Sequence, residues 1–265
     1  MRPEHFHTDH YMLNWRPIAA TLIMLLGGIP SAHGEEPIHR IAPGITASVK
    51  LFRGTETGLK IPFHMIEIHR SAGALRILDA RRADRDRASV EALATESGAL
   101  AAINGSFFLD DGTPLGLRIS QGQRLSPLRK VDWGVFSIDQ SGHPDLVHVR
   151  DWKDRPEIRF AFQSGPRLVV AGKALTFKPN IARRSAICVR KDDTILLVAT
   201  ARPLTLLELA TLLQRSKSNG GMACEHALNL DGGSSTQITI PGAPRALGIR
   251  DADSVPIAIG VFPPG

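Results

Sequence analysis

The sequence predicts an α+β fold dominated by strands, with mixed or antiparallel sheets, a few packed helices and a single compact domain. Three observations predict it. Short apolar-polar alternations recur along the chain between Gly, Pro and Asp boundaries. Only two stretches carry a helical period, and no long linker interrupts the pattern.

Strands are expected over 45–52, 63–69, 75–79, 100–104, 115–120, 133–138 and 146–149. The second half adds 161–164, 168–170, 185–189, 194–199, 227–231 and 236–240, with a last strand over 256–261. The first helix is expected over 88–96, behind an Asp/Arg-rich loop. The second, over 205–215, has Thr205 as N-cap and Glu208 three residues on, a capping-box spacing. Leu206, Leu209, Ala210 and Leu213 then form one apolar face. Each helix leads into a strand with a polar tip, Asn104-Gly105-Ser106 in one case and Asn229-Leu230-Asp231-Gly232-Gly233-Ser234 in the other.

Composition narrows the function classes. The chain has 265 residues, 43% of them apolar, and a net charge of +6, which suits a soluble domain with a full core. The basic clusters at 81–87 and 124–130 are broken by acidic residues and proline. No helix-turn-helix, zinc-finger or aromatic-basic RNA signature appears, so nucleic acid is not an expected partner, while an anionic small substrate is compatible.

Residues 18–29 form an apolar run too short to span a bilayer comfortably, preceded by Arg16 and followed by Ala32 and Gly34 in a spacing that a signal peptidase accepts. The segment 1–34 is therefore expected to be a signal peptide, with Met12 as a tidier start and an uncleaved anchor as the alternative. The domain is placed over 35–265. The mature chain is expected to be periplasmic or secreted, with no stable membrane insertion. An oxidising compartment permits a Cys188–Cys224 disulfide, but Cys188 also suits a buried strand as a small free hydrophobe. Both readings stay open.

The chemistry concentrates in residues 229–235. Read as a strand, Leu228 and Leu230 share one face while Asn229 and Asp231 share the other. Two glycines follow, then two hydroxyls, so that a carboxylate, an amide and backbone N–H groups lie together. A hairpin turn is the competing reading of this segment alone. Companion segments also set glycine beside polar groups at strand ends: Asn104-Gly105-Ser106-Phe107-Phe108, Gly116-Leu117-Arg118 and Gln163-Ser164-Gly165-Pro166. Arg184-Ser185-Ala186-Ile187 opens a further strand.

In order and spacing these motifs, over about residues 60 to 262, resemble the phosphodiester glycosidase family, whose animal member removes N-acetylglucosamine from a mannose-6-phosphate diester. The family's Asn-Gly-Gly-Phe-Phe element falls on Asn104, Gly105, Phe107 and Phe108, with Ser106 in place of a glycine. Gly165, Pro166 and Leu168 match Gly-Pro-x-Leu, and Arg184, Ala186 and Ile187 match Arg-x-Ala-Ile. Cys224 through Gly233 match Cys-x-x-Ala-Leu-Asn-Leu-Asp-Gly-Gly in full. Two departures are Cys188, where the family commonly has glycine, and a shortened serine tail.

The resemblance implies an exported hydrolase that cleaves the glycosidic C–O bond of a sugar-1-phosphate diester in an envelope or extracellular glycoconjugate. Its partner would be a phosphodiester-linked sugar or glycopolymer. A phosphate monoester is already a good leaving group, so the demand for a strong general acid is low. Asp231 is the carboxylate expected at the anomeric carbon. Arg184 suits the phosphate, because guanidinium binds oxyanions in bidentate fashion, and Arg118 is a second candidate. Asn229 and Asn104 are expected to bind sugar hydroxyls or to hold Asp231. Gly105, Gly232 and Gly233 are expected to offer N–H donors, and Ser164, Gly165 and Ser234 to complete the substrate site. No cofactor is expected. Calcium stays open, because Asp and Asn at strand ends bind it as readily as sugar. The competing readings are a non-catalytic envelope carbohydrate-binding protein and, last, a metal-dependent phosphodiesterase, for which His and Asp are too sparse.

Overall fold

Alternation along the strands gives most of them two usable faces, and four antiparallel sheets result. The computed structural model describes residues 38–54, 58–250 and 252–264; the expected signal peptide lies outside them. The largest sheet has eight strands in the order His39–Ala42, Ile45–Arg53, Lys60–Ile68, Ile195–Thr200, Ser185–Arg190, Cys224–Asn229, Arg167–Val170 and Lys173–Ala174. A five-stranded sheet runs Gln123–Ser126, Arg118–Ser120, Ile158–Ser164, Gly134–Asp139 and Pro144–His148. A four-stranded sheet joins Ile238–Thr239, Ala101–Asn104, Ile257–Phe262 and Ala74–Asp79, and Ile181–Ala182 pairs with Leu204–Thr205.

Every strand pairing is antiparallel among the described residues. Two α-helices are present there, α1 (Val90–Ser97) and α2 (Leu206–Gln214). The fold is thus strand-rich as expected but mostly β rather than α+β, and its sheets are antiparallel rather than mixed. Part of the reason lies in the connections: consecutive antiparallel neighbours such as His39–Ala42 and Ile45–Arg53 need only tight turns, whereas parallel ones would need crossover helices.

The strands pack two ways. One face of the large sheet, with Ile66, Ile187, Leu197 and Leu228, meets the inner faces of the other sheets through Ile103, Phe136, Phe160, Phe162 and Ile259 in one core. The other face, with Phe63, Ala186, Leu196 and Ala227, is covered by Leu209, Ala210, Leu212 and Leu213 of α2. Helix α1 covers the outer face of the four-stranded sheet, laying Val90, Leu93 and Ala94 on Leu78, Ala102 and Ala258. Each Val, Leu, Ile or Phe among them contributes about 1.5–3 kcal/mol when fully buried. Both helices start on hydroxyl caps: Ser89 accepts from the Ala92 N–H and Thr205 from the Glu208 N–H.

Cys188 and Cys224 form a disulfide, so the free-thiol reading of Cys188 is corrected. Register explains the pairing. Their strands are neighbours, Cys188 lies opposite Ala227 and Arg190 opposite Cys224, with a register shift between Val189 and Arg190. The two Cα atoms come to 5.8 Å, within the span a disulfide requires.

Candidate active site

The two polar strand tips, more than a hundred residues apart in sequence, end side by side. Asn104 closes the strand Ala101–Asn104 that follows α1, and its Nδ2 donates to the backbone carbonyl of Asp231 at 2.8 Å. The Asp231 N–H donates in turn to the Gly105 carbonyl at 3.2 Å. Asn104 is fully buried, and its Oδ1 accepts from the Ser185 hydroxyl at 2.6 Å and the Gln237 N–H at 3.1 Å. It therefore ties together three segments around Asp231. Gly105 allows this closeness: a Cβ there would fall 2.7 Å from a side-chain carbon of Ile257.

The strand Cys224–Asn229 ends two residues before the expected limit, so Asp231 sits in the connection beyond it and not on the ladder. Leu230 is buried in the central core and anchors that connection. Asp231 itself is partly buried, and its Oδ1 accepts the Gly232 N–H at 2.9 Å. Burial pushes its carboxyl above the ordinary carboxylate value, opposed by hydrogen bonds from the Ser235 hydroxyl and the Gly232 N–H. A desolvated carboxylate held on two donors is a candidate functional group, because perturbed groups of this kind concentrate at functional sites.

Asn229, two residues before Asp231, ties a second segment to the strand end. Its Nδ2 donates to the carbonyls of Gly165 at 2.9 Å and Leu230 at 2.7 Å, and its N–H donates to the Pro166 carbonyl at 3.0 Å. The Gly165–Pro166 peptide is cis. Trp133 lies so close over Gly165 that a Cβ there would fall 2.4 Å from the indole. Asn229 Oδ1 and the Ser164 hydroxyl are both buried without a hydrogen-bond partner in the fold. Buried polar atoms normally have partners, so two such atoms flanking Gly165 mark a place suited to polar ligand groups.

The other expected residues are placed differently. Arg184 is buried with Nε on the Leu204 carbonyl at 3.2 Å and Nη2 on the carbonyl and side chain of Asn180; burial lowers its pKa. Arg118 pairs with Asp79 at 3.2 Å and with the Ser126 hydroxyl at 3.1 Å; burial lowers its pKa against the raising effect of Asp79. Both are thus held by partners other than the Asp231 carboxylate. The expected nest of free backbone donors is not formed. The Gly105 N–H goes to the Ile257 carbonyl, Gly232 to Asp231 itself and Gly233 to the Arg183 carbonyl. Ser234 is exposed, and its carbonyl accepts the Asp253 N–H.

Ser235 and Ser185, which the sequence places in motifs but not among the site residues, complete the arrangement together with Gln237 and Arg183. Ser235 offered a signal, as the second hydroxyl after Gly233. Arg183 also had one, adjacent to Arg184; its Nε donates to the Gly233 carbonyl at 3.0 Å. Among the described residues, no three or more His, Cys, Asp or Glu side chains gather in a way that would hold a metal ion. None of the described helices is long and apolar enough to cross a membrane.

The fold is similar to the catalytic domain of zebrafish N-acetylglucosamine-1-phosphodiester alpha-N-acetylglucosaminidase, auto-inhibited by its pro-peptide. The TM-score is 0.66 at 17% identity over 84% of this chain and 85% of that one. A hypothetical protein from Synechocystis has a TM-score of 0.61 at 18% identity, over 88% of this chain and 64% of that one. At such identities the likeness is one of fold. No curated protein sequence matches significantly. A sequence profile described as phosphodiester glycosidase matches residues 97–262, which span both polar tips. With more than half of its length matched, the chain belongs to the phosphodiester glycosidase family, and family and fold together support a glycosidase-type function.

Proposed function

We propose that the protein is an exported hydrolase that cleaves the glycosidic C–O bond of a sugar-1-phosphate diester in an envelope or extracellular glycoconjugate. The observation that carries this reading is the Asp231 carboxylate: desolvated, fixed by Gly232 and Ser235, and set on a backbone locked by Asn104. A carboxylate so placed stabilises positive charge developing at an anomeric carbon and serves the attacking nucleophile. Asn229 Oδ1 and the Ser164 hydroxyl are assigned to sugar hydroxyls, since each is buried and unpartnered within the fold. Arg184 is read as a positioning residue, bracing the start of the strand that sends Ser185 to Asn104.

Export is supported by the apolar run at 18–29 and by the Cys188–Cys224 disulfide, since such bonds persist in oxidising compartments. In the net reaction water adds across the bond. Its hydroxyl goes to C1, the C1–O electron pair leaves on the phosphate monoester, and one proton is released.

The test is a product assay on a sugar-1-phosphate diester in 18O-labelled water. Free sugar carrying the label, with an unlabelled phosphomonoester, is the expected result. Label in the phosphate would show P–O cleavage and overturn the reading.

A further inference from the structure

A cavity of about 640 Å³ opens along the segment that leads into Trp133. Its lining combines an apolar part, Leu128, Val131 and Val149, with the hydrogen-bonded pair Asp132 and His148. The two partners differ sharply in exposure: the His148 side chain is 5% exposed and that of Asp132 is 91% exposed. His148 Nδ1 accepts the Arg150 N–H at 3.0 Å, which assigns the ring proton to Nε2, and Nε2 donates to Asp132 Oδ1 at 2.7 Å. That hydrogen bond holds the Asp132 carboxyl below the ordinary carboxylate value, helped by the charges of Arg150 and Arg167. A buried ring thus orients a carboxylate that is open to solvent.

Contacts on the page join this cavity to the candidate active site. The segment 128–133 is pinned twice to residues 163–165. The fully buried Gln163 side chain accepts the Arg129 N–H at 2.9 Å and donates to the Arg129 carbonyl at 2.7 Å. Trp133, which follows Asp132, lies against Gly165. The Gly165 carbonyl in turn accepts from Asn229 Nδ2 at 2.9 Å. Only Trp133 and Gly165 therefore stand between Asp132 and Asn229 along this chain of contacts.

A sugar ring is amphipathic, with C–H groups that lie on apolar surface and hydroxyls that need a few fixed polar partners, the combination that binding cavities provide. Neighbouring hydroxyls donate together to the two oxygens of one ionised carboxylate, which is an acceptor only. Lys130 and Arg150, both exposed at this cavity, suit the phosphates that link one sugar to the next. We propose that the cavity is a second saccharide subsite, which holds the sugar-phosphate unit next to the one being cleaved, with Asp132 as the specificity-determining acceptor for its hydroxyls. The proposal rests on the glycosidase reading of Asp231 and narrows the substrate to a repeating phosphodiester-linked glycopolymer.

The experiment compares two substrates on the purified protein: the methyl diester of N-acetylglucosamine-1-phosphate, and a short oligomer of N-acetylglucosamine joined through 1-phosphate diesters. Hydrolysis kinetics and calorimetric binding of the oligomer are measured for wild type, for Asp132→Ala and for Val131→Trp, which fills the cavity. Asp132 is exposed, so its truncation spares the fold, and thermal midpoints verify this for both variants. Wild type is expected to have a KM for the oligomer about tenfold below that for the methyl diester, and each variant should remove most of that advantage. Equal KM values in wild type, or an advantage unchanged in both folded variants, would overturn the subsite and leave the glycosidase reading intact. Oligomer binding that weakens in Asp132→Ala, with neither substrate cleaved, would sink the glycosidase reading and leave the cavity a saccharide site. Inorganic polyphosphate that competes as strongly as the oligomer would show that charge alone is read, and would overturn the inference. Neither binding nor turnover of the two substrates would overturn both.

Discussion

Asn104 holds Asp231 by its backbone: the amide of one grips the backbone carbonyl of the other at 2.8 Å, and the carboxylate takes its hydrogen bonds from Gly232 and Ser235 instead. This division suits a catalytic group, because the aspartate is oriented without being neutralised by its support.

Asn104→Ala removes the partner of three groups at once: the Asp231 carbonyl, the Ser185 hydroxyl and the Gln237 N–H. Leaving buried polar groups unsatisfied costs about 1–3 kcal/mol each before relaxation, so a loss of about 3 kcal/mol in urea unfolding is expected. Turnover should fall by more than tenfold even where the variant is fully folded. Wild-type activity in the folded variant would show that Asp231 does not depend on this grip.

Asp231→Asn should abolish turnover while making the fold more stable at neutral pH. Burial raises the Asp231 carboxyl in the folded state, so that state holds the proton more tightly than the unfolded chain. The ionised group therefore destabilises the fold increasingly as pH rises from the unfolded value to the folded one, and by a constant amount above it. The advantage of Asn over Asp in thermal midpoint should grow across that window and vanish below the ordinary carboxylate value. An advantage that is constant from acid to neutral pH would argue against a raised Asp231.

The Cys188–Cys224 bond closes a loop over a sequence separation of 36. Chain-entropy arguments give a contribution of about 4 kcal/mol for a loop of that length. The double variant Cys188→Ala/Cys224→Ala should lose about 10 °C in Tm. Because both cysteines are buried, reductant should act on the wild type slowly under native conditions and quickly in urea.

Gly165→Ala tests the segment that Asn229 holds. A methyl group placed 2.4 Å from the Trp133 ring forces the indole or the Gly165–Pro166 turn to move, at a cost of about 1–3 kcal/mol. Displacement of the turn also shifts the acceptor of Asn229, so KM should rise while Trp fluorescence changes. A variant with unaltered fluorescence and kinetics would remove this segment from the site.

Most elements were legible because alternation and capping are local signals. Both helices and the longer strands lie where their patterns put them, within a few residues, and Thr205 caps α2 on Glu208 as its spacing indicates. Of the strands not expected, Lys173–Ala174, Ile181–Ala182 and Leu204–Thr205 are two residues long and carry no period to detect, while His39–Ala42 and Gln123–Ser126 are four-residue sheet-edge strands with no fully buried position to reveal an alternation. Asp231 stood out through its glycine pair, but its neighbours did not. Whether Arg184 turns toward the carboxylate or toward Asn180 depends on a rotamer set by tertiary packing, and so does the choice of Ser235 over Ser234. The disulfide was undecided for a related reason: alternation shows that Cys188 is buried, while register between neighbouring strands shows what it is buried against.

The grip of Asn104 on Asp231 joins positions 127 residues apart, the end of a strand in one sheet and the connection that leaves a strand of another. Loop closure over such a distance is rewarded only after both sheets have formed and docked. The site is therefore a seam, and catalytic competence arrives with the last step of assembly. Any partial opening of the protein that separates the two sheets erases activity before it erases much secondary structure, so turnover becomes a more sensitive gauge of native assembly than circular dichroism.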